Sequence, residues 1–257
     1  MLNIVIPMAG RGQRFVDAGY DLPKPLIPVH GVPMIQLVIA NLTPKRAHRF
    51  HFLVQKDHVE RYGLDARLRD WAPGCEVVVV DGVTEGAACT VLLARSMIDN
   101  DAPLMIANCD QYIDAGIDAY LDSQGDADGL IMTMWADDPK WSFVRRDAAG
   151  RVVEVVEKEV VSNEATVGIY NYRRGSDFVA GAEAMIAADI RVNGEFYVAP
   201  VYNGIIRRGG EVRCFGIGQA GAGMYGIGTP QDLVEFCRLP ISRRAASACE
   251  GGVVEHP

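Results

Sequence analysis

The sequence predicts an α/β fold, a three-layer arrangement in which helices cover both faces of a mostly parallel sheet. Strand-like and helix-like patterns alternate through the first 110 residues. Five further strand-like runs follow in the second half, together with three helical patterns. A chain in which strands and helices alternate builds a parallel sheet with helices packed on it.

The first half supplies the alternating elements in order. Apolar runs at 3–7, 51–54, 76–80 and 103–110 read as buried strands. Between them, helical spacing of apolar residues predicts helices at 32–42, 57–71 and 86–98. Ligands bind such sheets beyond the carboxyl ends of the strands. The segments that follow the first, third and fourth strands are therefore expected to meet in one crevice.

The second half predicts strands at 129–135, 142–147, 152–158, 165–172 and 211–217. Helices are expected at 175–188, 196–208 and 229–237, the last with Thr229 as its N-cap and Asp232 three residues later. The sequence thus predicts one domain at 1–239, made of two halves at 1–112 and 113–239. Residues 240–257 lose periodicity and are expected to form a loosely ordered tail.

Composition excludes several function classes. The chain has 257 residues and a formal net charge of −8, which argues against binding nucleic acid or an anionic membrane. No apolar run reaches the roughly 18 residues that a membrane span needs. Six scattered cysteines without a CxxC pair favour a reducing, cytoplasmic location over a disulfide framework or a zinc site.

The loop after the first strand carries the first chemical signal. Gly10, Gly12 and Arg14 form a G-x-G-x-R pattern, and Lys24 follows between two prolines. Phe15 stands where a dinucleotide-binding loop has its third glycine, and no G-K-[ST] of a P-loop follows. Turn glycines, an arginine fork and a rigidly held lysine suit phosphate binding. The same residues also fit a tight turn with solvated basic side chains.

Six motifs in this order resemble the nucleotidyltransferases that make activated sugars and related head groups. They are "PMAGRGQRF…LPKPL" at the start, then "TEGAACTVLLA", "ANCD", "VVEVVEK" with "ATVGIYNY", "GEFYVAPVYN" and "GIGTPQDL". The match spans roughly residues 3–237. The resemblance implies a single Rossmann-like domain with a mixed sheet of the GT-A type. In such a domain residues 1–112 would form a nucleotide-binding half and residues 113–239 an acceptor-binding half. It also implies transfer of a nucleotide to a phosphorylated acceptor with release of pyrophosphate and with Mg²⁺ as cofactor.

The resemblance assigns residues to three roles. The catalytic group comprises Arg14, Lys24, Asp110 and Lys158, with Asp110 as the magnesium ligand. The nucleotide-binding group comprises Ala9, Gly10, Gly12, Arg14, Asp81 and Gly86. The acceptor-binding group comprises Gln111, Trp141, Glu157, Lys158, Glu195 and Tyr197. Simpler roles remain open: Asp110 as a turn cap, Glu157 and Lys158 as a solvated pair, Trp141 as a core residue, and Glu195 and Tyr197 as helix-start and packing residues.

Two positions depart from the family pattern. Many relatives carry a second magnesium ligand before the final G-T-P, where this chain has Gly226. Relatives that use uridine or thymidine triphosphate often place a glutamine where this chain has Asp81. A carboxylate accepts a hydrogen bond from the cytosine amino group, so Asp81 favours CTP over UTP and dTTP. A simple role for Asp81 at the turn with Gly82 stays open.

Together these features resemble a cytidylyltransferase-like branch found in bacterial capsule and surface-polysaccharide pathways. Two other functions compete with an active nucleotidyltransferase. One is a catalytically silent nucleotide-binding homologue, and the other is a GT-A glycosyltransferase, whose D-x-D metal motif is missing from "CDQYID". The sequence leaves the identity of the acceptor and the oligomeric state undetermined.

Overall fold

The computed structural model describes residues 1–250, and a long mixed sheet dominates them. Eleven strands belong to this sheet, and two short ones form a separate hairpin. In the described residues the strands are β1 (Leu2–Met8), β2 (Pro28–Val29), β3 (Val32–Pro33), β4 (His48–Gln55), β5 (Glu76–Val80), β6 (Leu104–Ala107), β7 (Gln111–Ile113), β8 (Gly129–Trp135), β9 (Ser142–Arg146), β10 (Val152–Glu157), β11 (Glu164–Tyr172), β12 (Val212–Ala220) and β13 (Gly223–Gly226).

Helices lie between most of these strands. Within residues 1–250 they are α1 (Gln13–Asp17), α2 (Met34–Leu42), α3 (Lys56–Tyr62), α4 (Leu64–Trp71), α5 (Ala87–Leu92), α6 (Arg95–Ile98), α7 (Ile117–Asp122), α8 (Gly175–Ala187), α9 (Tyr202–Arg207), α10 (Pro230–Arg238) and α11 (Pro240–Glu250). Single turns of 3₁₀ helix occupy Lys24–Leu26 and Ala199–Val201, both of which contain a proline.

The strand order explains why the sheet is mixed. The order is β5-β4-β1-β6-β11-β8-β12-β13-β7, with the β9–β10 hairpin attached to β11. β5, β4, β1 and β6 are parallel, whereas β11 runs antiparallel to both β6 and β8. The predicted α/β class with a mostly parallel sheet and helices on both faces is confirmed.

Two hydrophobic clusters cover the two faces of the sheet. Ile4 and Ile6 of β1 belong to one cluster, with α2, α4 and α7, while Val5 belongs to the other, with α5, α6, α8 and α9. Successive side chains of a strand point to opposite faces. A strand buried on both faces is therefore almost entirely apolar, and in β1 the one polar residue is Asn3.

Several predicted helices are shorter than expected. The helix predicted at 57–71 is two helices, because Gly63 adopts the left-handed conformation (φ 59°) that ends α3. The segment 86–98 also forms two short helices, α5 and α6. Only the end of 196–208 is α-helical, since Pro200 lies in a 3₁₀ turn there.

The end of the chain differs from its prediction. A helix, α11, occupies Pro240–Glu250 where a loosely ordered tail was expected. Ile241, Ala245 and Cys249 follow a four-residue spacing that places them on the face packed against neighbouring helices. Ser242 is fully buried and bonds His30 at 2.7 Å. The helix was not predicted from the sequence because several residues of its buried face are small, whereas a buried helix face is usually recognised by large apolar side chains. The remainder of the predicted tail, 251–257, lies outside the described residues.

Candidate active site

The loop after β1 and the end of β6 enclose a cavity of about 240 Å³ at the carboxyl edge of the sheet. Gly10, Gly12, Lys24 and Asp110 all line it. Because β1 and β6 are adjacent parallel strands, their carboxyl ends bring the two following segments together. The loop after the first strand and the strand-end carboxylate therefore share one crevice, as expected. The segment after the third predicted strand, which carries Asp81 and Gly86, does not line this cavity.

Gly12 shapes the loop, and Phe15 anchors it. Gly12 adopts φ 62°, and a side chain there would begin 3.0 Å from Cβ of Lys24. Gly10 differs, since a Cβ on it would meet nothing within 4 Å. Phe15 is 1% exposed and packs edge-on against Tyr20, which fixes the short helix α1 that follows the loop. The large side chain of Phe15, which argues against a dinucleotide-binding loop, is thus part of the hydrophobic core.

Lys24 and Asp110 form an ion pair in this cavity. The distance between Lys24 Nζ and Asp110 Oδ2 is 2.5 Å. Burial lowers the pKa of Lys24, but the attraction of Asp110 and the hydrogen bond to it outweigh that effect, so the pKa lies above its usual value. Lys24 is therefore protonated at neutral pH. Leu26 and Ile27, both buried, hold the backbone of the lysine segment in place.

Two further residues crowd Asp110. A Cβ on Gly228 would lie 2.4 Å from Asp110 Oδ2, so any larger residue at this position would displace the Asp110 carboxylate. The backbone N–H of Ile227 donates to the carbonyl of Asp110 at 2.9 Å. Cys109, which also lines the cavity, is buried, and burial raises the pKa of its thiol to about 11. It is a neutral wall residue at physiological pH.

The position of Gly226, where relatives carry a second carboxylate, lies close to another aspartate. A Cβ on Gly226 would be 3.8 Å from Asp232 Oδ2. The backbone N–H of Asp232 donates to Thr229 Oγ1 at 3.1 Å, the predicted N-cap of the last predicted helix. No group of three or more histidine, cysteine, aspartate or glutamate side chains within residues 1–250 forms a ready metal site.

The segment after β5 contributes Asp81 and Gly86. The Asp81 side chain is 88% exposed and lies 4.0 Å from Lys56 Nζ. Gly86 adopts φ 134°, and a Cβ there would lie 2.4 Å from the carbonyl oxygen of Phe196. Phe196 N–H donates to Glu85 O, and Ala88 N–H donates to Phe196 O. Glycine at 86 therefore permits this segment to approach the backbone of Phe196, which lies between Glu195 and Tyr197 in the sequence.

A second group of predicted residues lies around the end of β10. Glu157 is 8% exposed, accepts a hydrogen bond from Ser142 Oγ, and has its pKa raised by burial. Lys158 adopts a left-handed backbone (φ 58°) and donates to Tyr197 Oη, with its Nζ 4.5 Å from the ring centre. The hydrogen bond to Tyr197 raises the pKa of Lys158. Glu157 is thus buried rather than the solvated residue that the simpler reading allowed.

Three further predicted residues surround this group. Trp141 is half-buried, its carbonyl accepts from the N–H of Lys158, and Lys140 Nζ lies 5.2 Å from its ring centre. Glu195 is exposed and contributes to the pKa shifts of Lys158 and Tyr197. The structure thus brings Trp141, Glu157, Lys158, Glu195 and Tyr197 together, while Arg14 is exposed beside the first cavity.

Gln111 begins the short strand β7, next to Asp110. Its side chain is 5% exposed, and its Nε2 has no hydrogen-bond partner within residues 1–250. Gly168, at φ 79°, leaves room for the side chains of Asn108 and Gln111: a Cβ there would be 2.0 Å from Asn108 Nδ2 and 3.2 Å from Gln111 Oε1. A buried amide donor without a partner is unusual and marks a position where a ligand atom could bind.

Sequence reasoning missed several residues of this region. Asn108 and Cys109 line the cavity, and Ser142 donates a hydrogen bond to Glu157. Gln55 donates to the carbonyls of both Ala9 and Gly82. Asn108 and Cys109 belong to the ANCD motif, but only Asp110 of that motif was assigned a role. Gln55 belongs to none of the motifs and lies far from both loops in sequence. Only the position of Gln55 at a strand end could have singled it out.

A model of the "Nucleotidyl transferase" family matches residues 4–182, more than half of the chain. The chain belongs to the nucleotidyl transferase family. The resemblance inferred from the six motifs is confirmed.

Curated relatives carry the name bifunctional protein GlmU. The one from Paraburkholderia xenovorans is 30% identical over 220 residues, which cover 82% of this chain and 46% of that protein. The one from Cupriavidus taiwanensis is 29% identical over 165 residues, or 62% of this chain and 34% of that protein. This nucleotidyl transferase therefore spans less than half the length of these relatives.

Solved structures share the fold along almost the whole chain. A nucleoside-diphosphate-sugar pyrophosphorylase from Vibrio cholerae superimposes with a TM-score of 0.79 at 24% identity, covering 92% of this chain and all of that one. An inositol-1-phosphate CTP transferase from T. maritima superimposes with a TM-score of 0.72 at 16% identity, and the superposition covers 98% of this chain and 97% of that one. None of the helices in residues 1–250 has both the length and the apolar character needed to cross a membrane.

Proposed function

We propose that the protein transfers a nucleoside monophosphate from a nucleoside triphosphate to a small phosphorylated acceptor. An oxygen of the acceptor phosphate attacks the α-phosphorus, a new P–O bond forms, and the bond to the leaving pyrophosphate breaks. Such reactions depend on positioning the reactants and stabilising negative charge. Family membership and the shared fold support this reaction class.

The single observation that carries the proposal is the Lys24–Asp110 pair beside the glycine loop. The loop offers backbone N–H groups, which suit phosphate oxygens. Lys24 is protonated and held rigidly between two prolines, so it can attract phosphate oxygens around the reacting phosphorus. Arg14, exposed at the rim, can fork onto the outer phosphates. Nucleotide binding would move Lys24 from Asp110 to phosphate.

The residues present fit Mg²⁺. Asp110 offers a hard oxygen ligand, which this ion prefers, and glycine at 228 leaves space beside that carboxylate. Asp232 lies near the position of Gly226 and is the nearest candidate for a second carboxylate. When bound, Mg²⁺ neutralises charge on the phosphates and helps to hold the triphosphate. Mg²⁺ accepts water and phosphate oxygens as its other ligands, so a single protein carboxylate is sufficient.

The chemistry around β10 favours a hydroxyl-bearing acceptor. Buried Glu157 can accept hydrogen bonds from hydroxyls, and Gln111 Nε2 can donate to one. Lys158 can bind the acceptor phosphate. A quaternary ammonium group would need an open aromatic face, but lysine ammonium groups already lie against the rings of Trp141 and Tyr197. A sugar 1-phosphate or a similar polyol phosphate therefore fits better than a choline-like phosphate.

CTP remains the favoured nucleotide. The exposed Asp81 carboxylate is accessible to the amino group of cytosine. A protein named inositol-1-phosphate CTP transferase shares this fold, so cytidine chemistry occurs on it. Uridine and thymidine triphosphates are the alternatives, and a role in building capsule or other surface polysaccharides follows from the same branch of the family.

The test is pyrophosphate release from four nucleoside triphosphates with Mg²⁺, each combined with sugar 1-phosphates, polyol phosphates and phosphocholine. We expect release with CTP and a hydroxyl-bearing phosphate. Calorimetry with each nucleotide provides the second measurement. Nucleotide binding without release across the whole acceptor panel would instead identify a silent homologue. Absence of both binding and release would contradict the proposal altogether.

A further inference from the structure

Gln55 joins the two loops that the proposed function assigns to the nucleotide. It is the last residue of β4, and β4 lies between β5 and β1 in the sheet. Its Nε2 donates to the carbonyl oxygen of Ala9, which begins the glycine loop after β1. The same nitrogen donates to the carbonyl oxygen of Gly82 at 2.8 Å, in the segment after β5.

The chemistry of both partners requires an amide at this position. Two carbonyl oxygens accept hydrogen bonds and donate none, so the nitrogen of the side-chain amide must face them. The two hydrogens of one NH₂ group match the two carbonyls. A glutamate here would oppose both oxygens with a carboxylate, and a methionine of similar shape would make neither hydrogen bond.

The position of Gln55 makes this contact a cross-link between loops rather than a local strand-end bond. Ala9 is buried and directly precedes Gly10 and Gly12, whose loop borders the cavity beside Lys24. Gly82, at φ 88°, forms the turn with Asp81 and leads to Gly86. No backbone hydrogen bond joins the Ala9 loop to the Gly82 turn in residues 1–250. Gln55 links them through its side chain.

We infer that Gln55 is a positioning residue that sets the separation between the site for the triphosphate and the site for the base. The inference rests on the proposed function. A ligand that spans both loops gains its second set of contacts only if the loops are already correctly spaced. A ligand that touches the glycine loop alone gains nothing from that spacing. Gln55 should therefore matter for a complete nucleotide and not for a phosphate chain.

The test compares CTP with inorganic tripolyphosphate, each with Mg²⁺ and without acceptor, by calorimetry. Wild type is compared with Gln55→Glu, Gln55→Met and the control Lys56→Met, which removes the adjacent exposed side chain at 4.0 Å from Asp81. We expect Gln55→Glu to weaken CTP binding by about 10-fold or more, because one lost hydrogen bond commonly costs up to about tenfold and the carboxylate adds repulsion. Gln55→Met should act in the same direction more weakly. Tripolyphosphate binding should stay within about 2-fold.

Steady-state kinetics add a second readout. The KM for CTP should rise in both Gln55 variants, whereas the KM for the acceptor should not change. Equal losses for CTP and tripolyphosphate would show that Gln55 only shapes the glycine loop, and unchanged CTP binding would show that it does not act on the nucleotide; either result overturns the inference. Failure of wild type to bind CTP or any other nucleoside triphosphate would instead contradict the proposed function. If Gln55→Glu does not fold, Gln55→Met carries the test.

Discussion

The two ends of the candidate site are built differently. The proposed nucleotide end relies largely on backbone groups. Gly12 and Gly86 adopt positive φ, the Gly86 segment exchanges backbone hydrogen bonds with Phe196, and Gln55 bonds the backbone carbonyls of Ala9 and Gly82. The proposed acceptor end relies on buried side chains: Glu157 lies against Ser142, and Gln111 Nε2 has no hydrogen-bond partner within residues 1–250. Phosphates are common to all nucleotides, so a backbone site can serve them all. Distinguishing one acceptor from another requires side chains.

This difference predicts how mutations act at each end. At the nucleotide end the decisive changes should be those that remove Lys24 or displace Asp110, and they should slow the reaction. Mutations at the acceptor end should change which acceptor binds and should reduce the reaction rate less. The predictions below run from the largest expected effect to the smallest.

Lys24→Ala should have the largest effect. It removes the protonated amine that the structure places beside Asp110, and loss of one charge-stabilising group typically costs about 10²- to 10³-fold in turnover. Single-turnover rates with saturating nucleotide measure it, and circular dichroism checks the fold. Lys45→Ala, at an exposed lysine, is the control. Near-normal turnover in Lys24→Ala would remove it from the reaction.

A pair of glycine variants tests the nucleotide end next. Gly228→Ala would put a methyl group 2.4 Å from Asp110 Oδ2, whereas Gly10→Ala would meet nothing within 4 Å. We expect Gly228→Ala to lower activity by about 100-fold and to weaken the response to Mg²⁺, since it displaces the carboxylate. Gly10→Ala should stay within about 3-fold of wild type on steric grounds. We would measure the activity of each variant, and we would monitor Mn²⁺ binding by electron paramagnetic resonance.

If Gly10→Ala lost as much activity as Gly228→Ala, the loss could not be explained by steric contact with Asp110. Asp110→Asn should reproduce the loss of metal response seen with Gly228→Ala. Asp232→Asn should weaken Mn²⁺ binding less than Asp110→Asn does, because Asp232 lies outside the immediate surroundings of Lys24.

Glu157→Gln should separate function from stability at the acceptor end. Burial raises the pKa of Glu157, so the charged form is disfavoured in the folded protein. A carboxyl group whose pKa is higher in the folded than in the unfolded protein destabilises the folded state when the pH is above both pKa values. This destabilisation disappears as the pH falls below the pKa of the unfolded protein. The amide should therefore raise the melting temperature at neutral pH. The KM for the acceptor should rise by about 10-fold, since a carboxylate acceptor is lost.

Thermal denaturation between pH 4 and 8 and acceptor titrations measure the two effects. The melting temperatures of wild type and variant should converge as pH falls, because the wild-type carboxyl then becomes neutral. Glu154→Gln, at a half-exposed residue paired with Arg145, is the matched control. An unchanged acceptor KM would return Glu157 to a purely structural role.

Asp81→Gln should have the smallest effect. It should move the preference from CTP towards UTP by about 10-fold or less, since the Asp81 side chain is largely exposed and solvent competes for it. Competition between CTP and UTP in one reaction measures the ratio directly. An unchanged ratio would leave Asp81 as a turn residue beside Gly82.

Sequence patterns located the nucleotide end better than its surroundings. Gly12, Lys24 and Asp110 belong to short motifs at strand ends, and strand order alone brings such ends together. Ser142 and Gln55 were not predicted, because they act through contacts that only the fold creates. Gln111 was predicted from the family resemblance, but only the structure shows that its buried Nε2 has no hydrogen-bond partner within residues 1–250. The helix α11 escaped prediction because alanine and serine form its buried face, and a reading based on large apolar residues does not detect them.

By itself, the sequence determined the α/β class, the family and the reactive loop, because apolar periodicity and glycine spacing are local properties. Tertiary structure decided which side chains face each other. Only the tertiary structure shows that Lys24 and Asp110 form an ion pair, that Glu157 is buried against Ser142, and that Gln55 lies between two loops. Those contacts join segments far apart along the chain, and their geometry depends on how every strand of the sheet is packed.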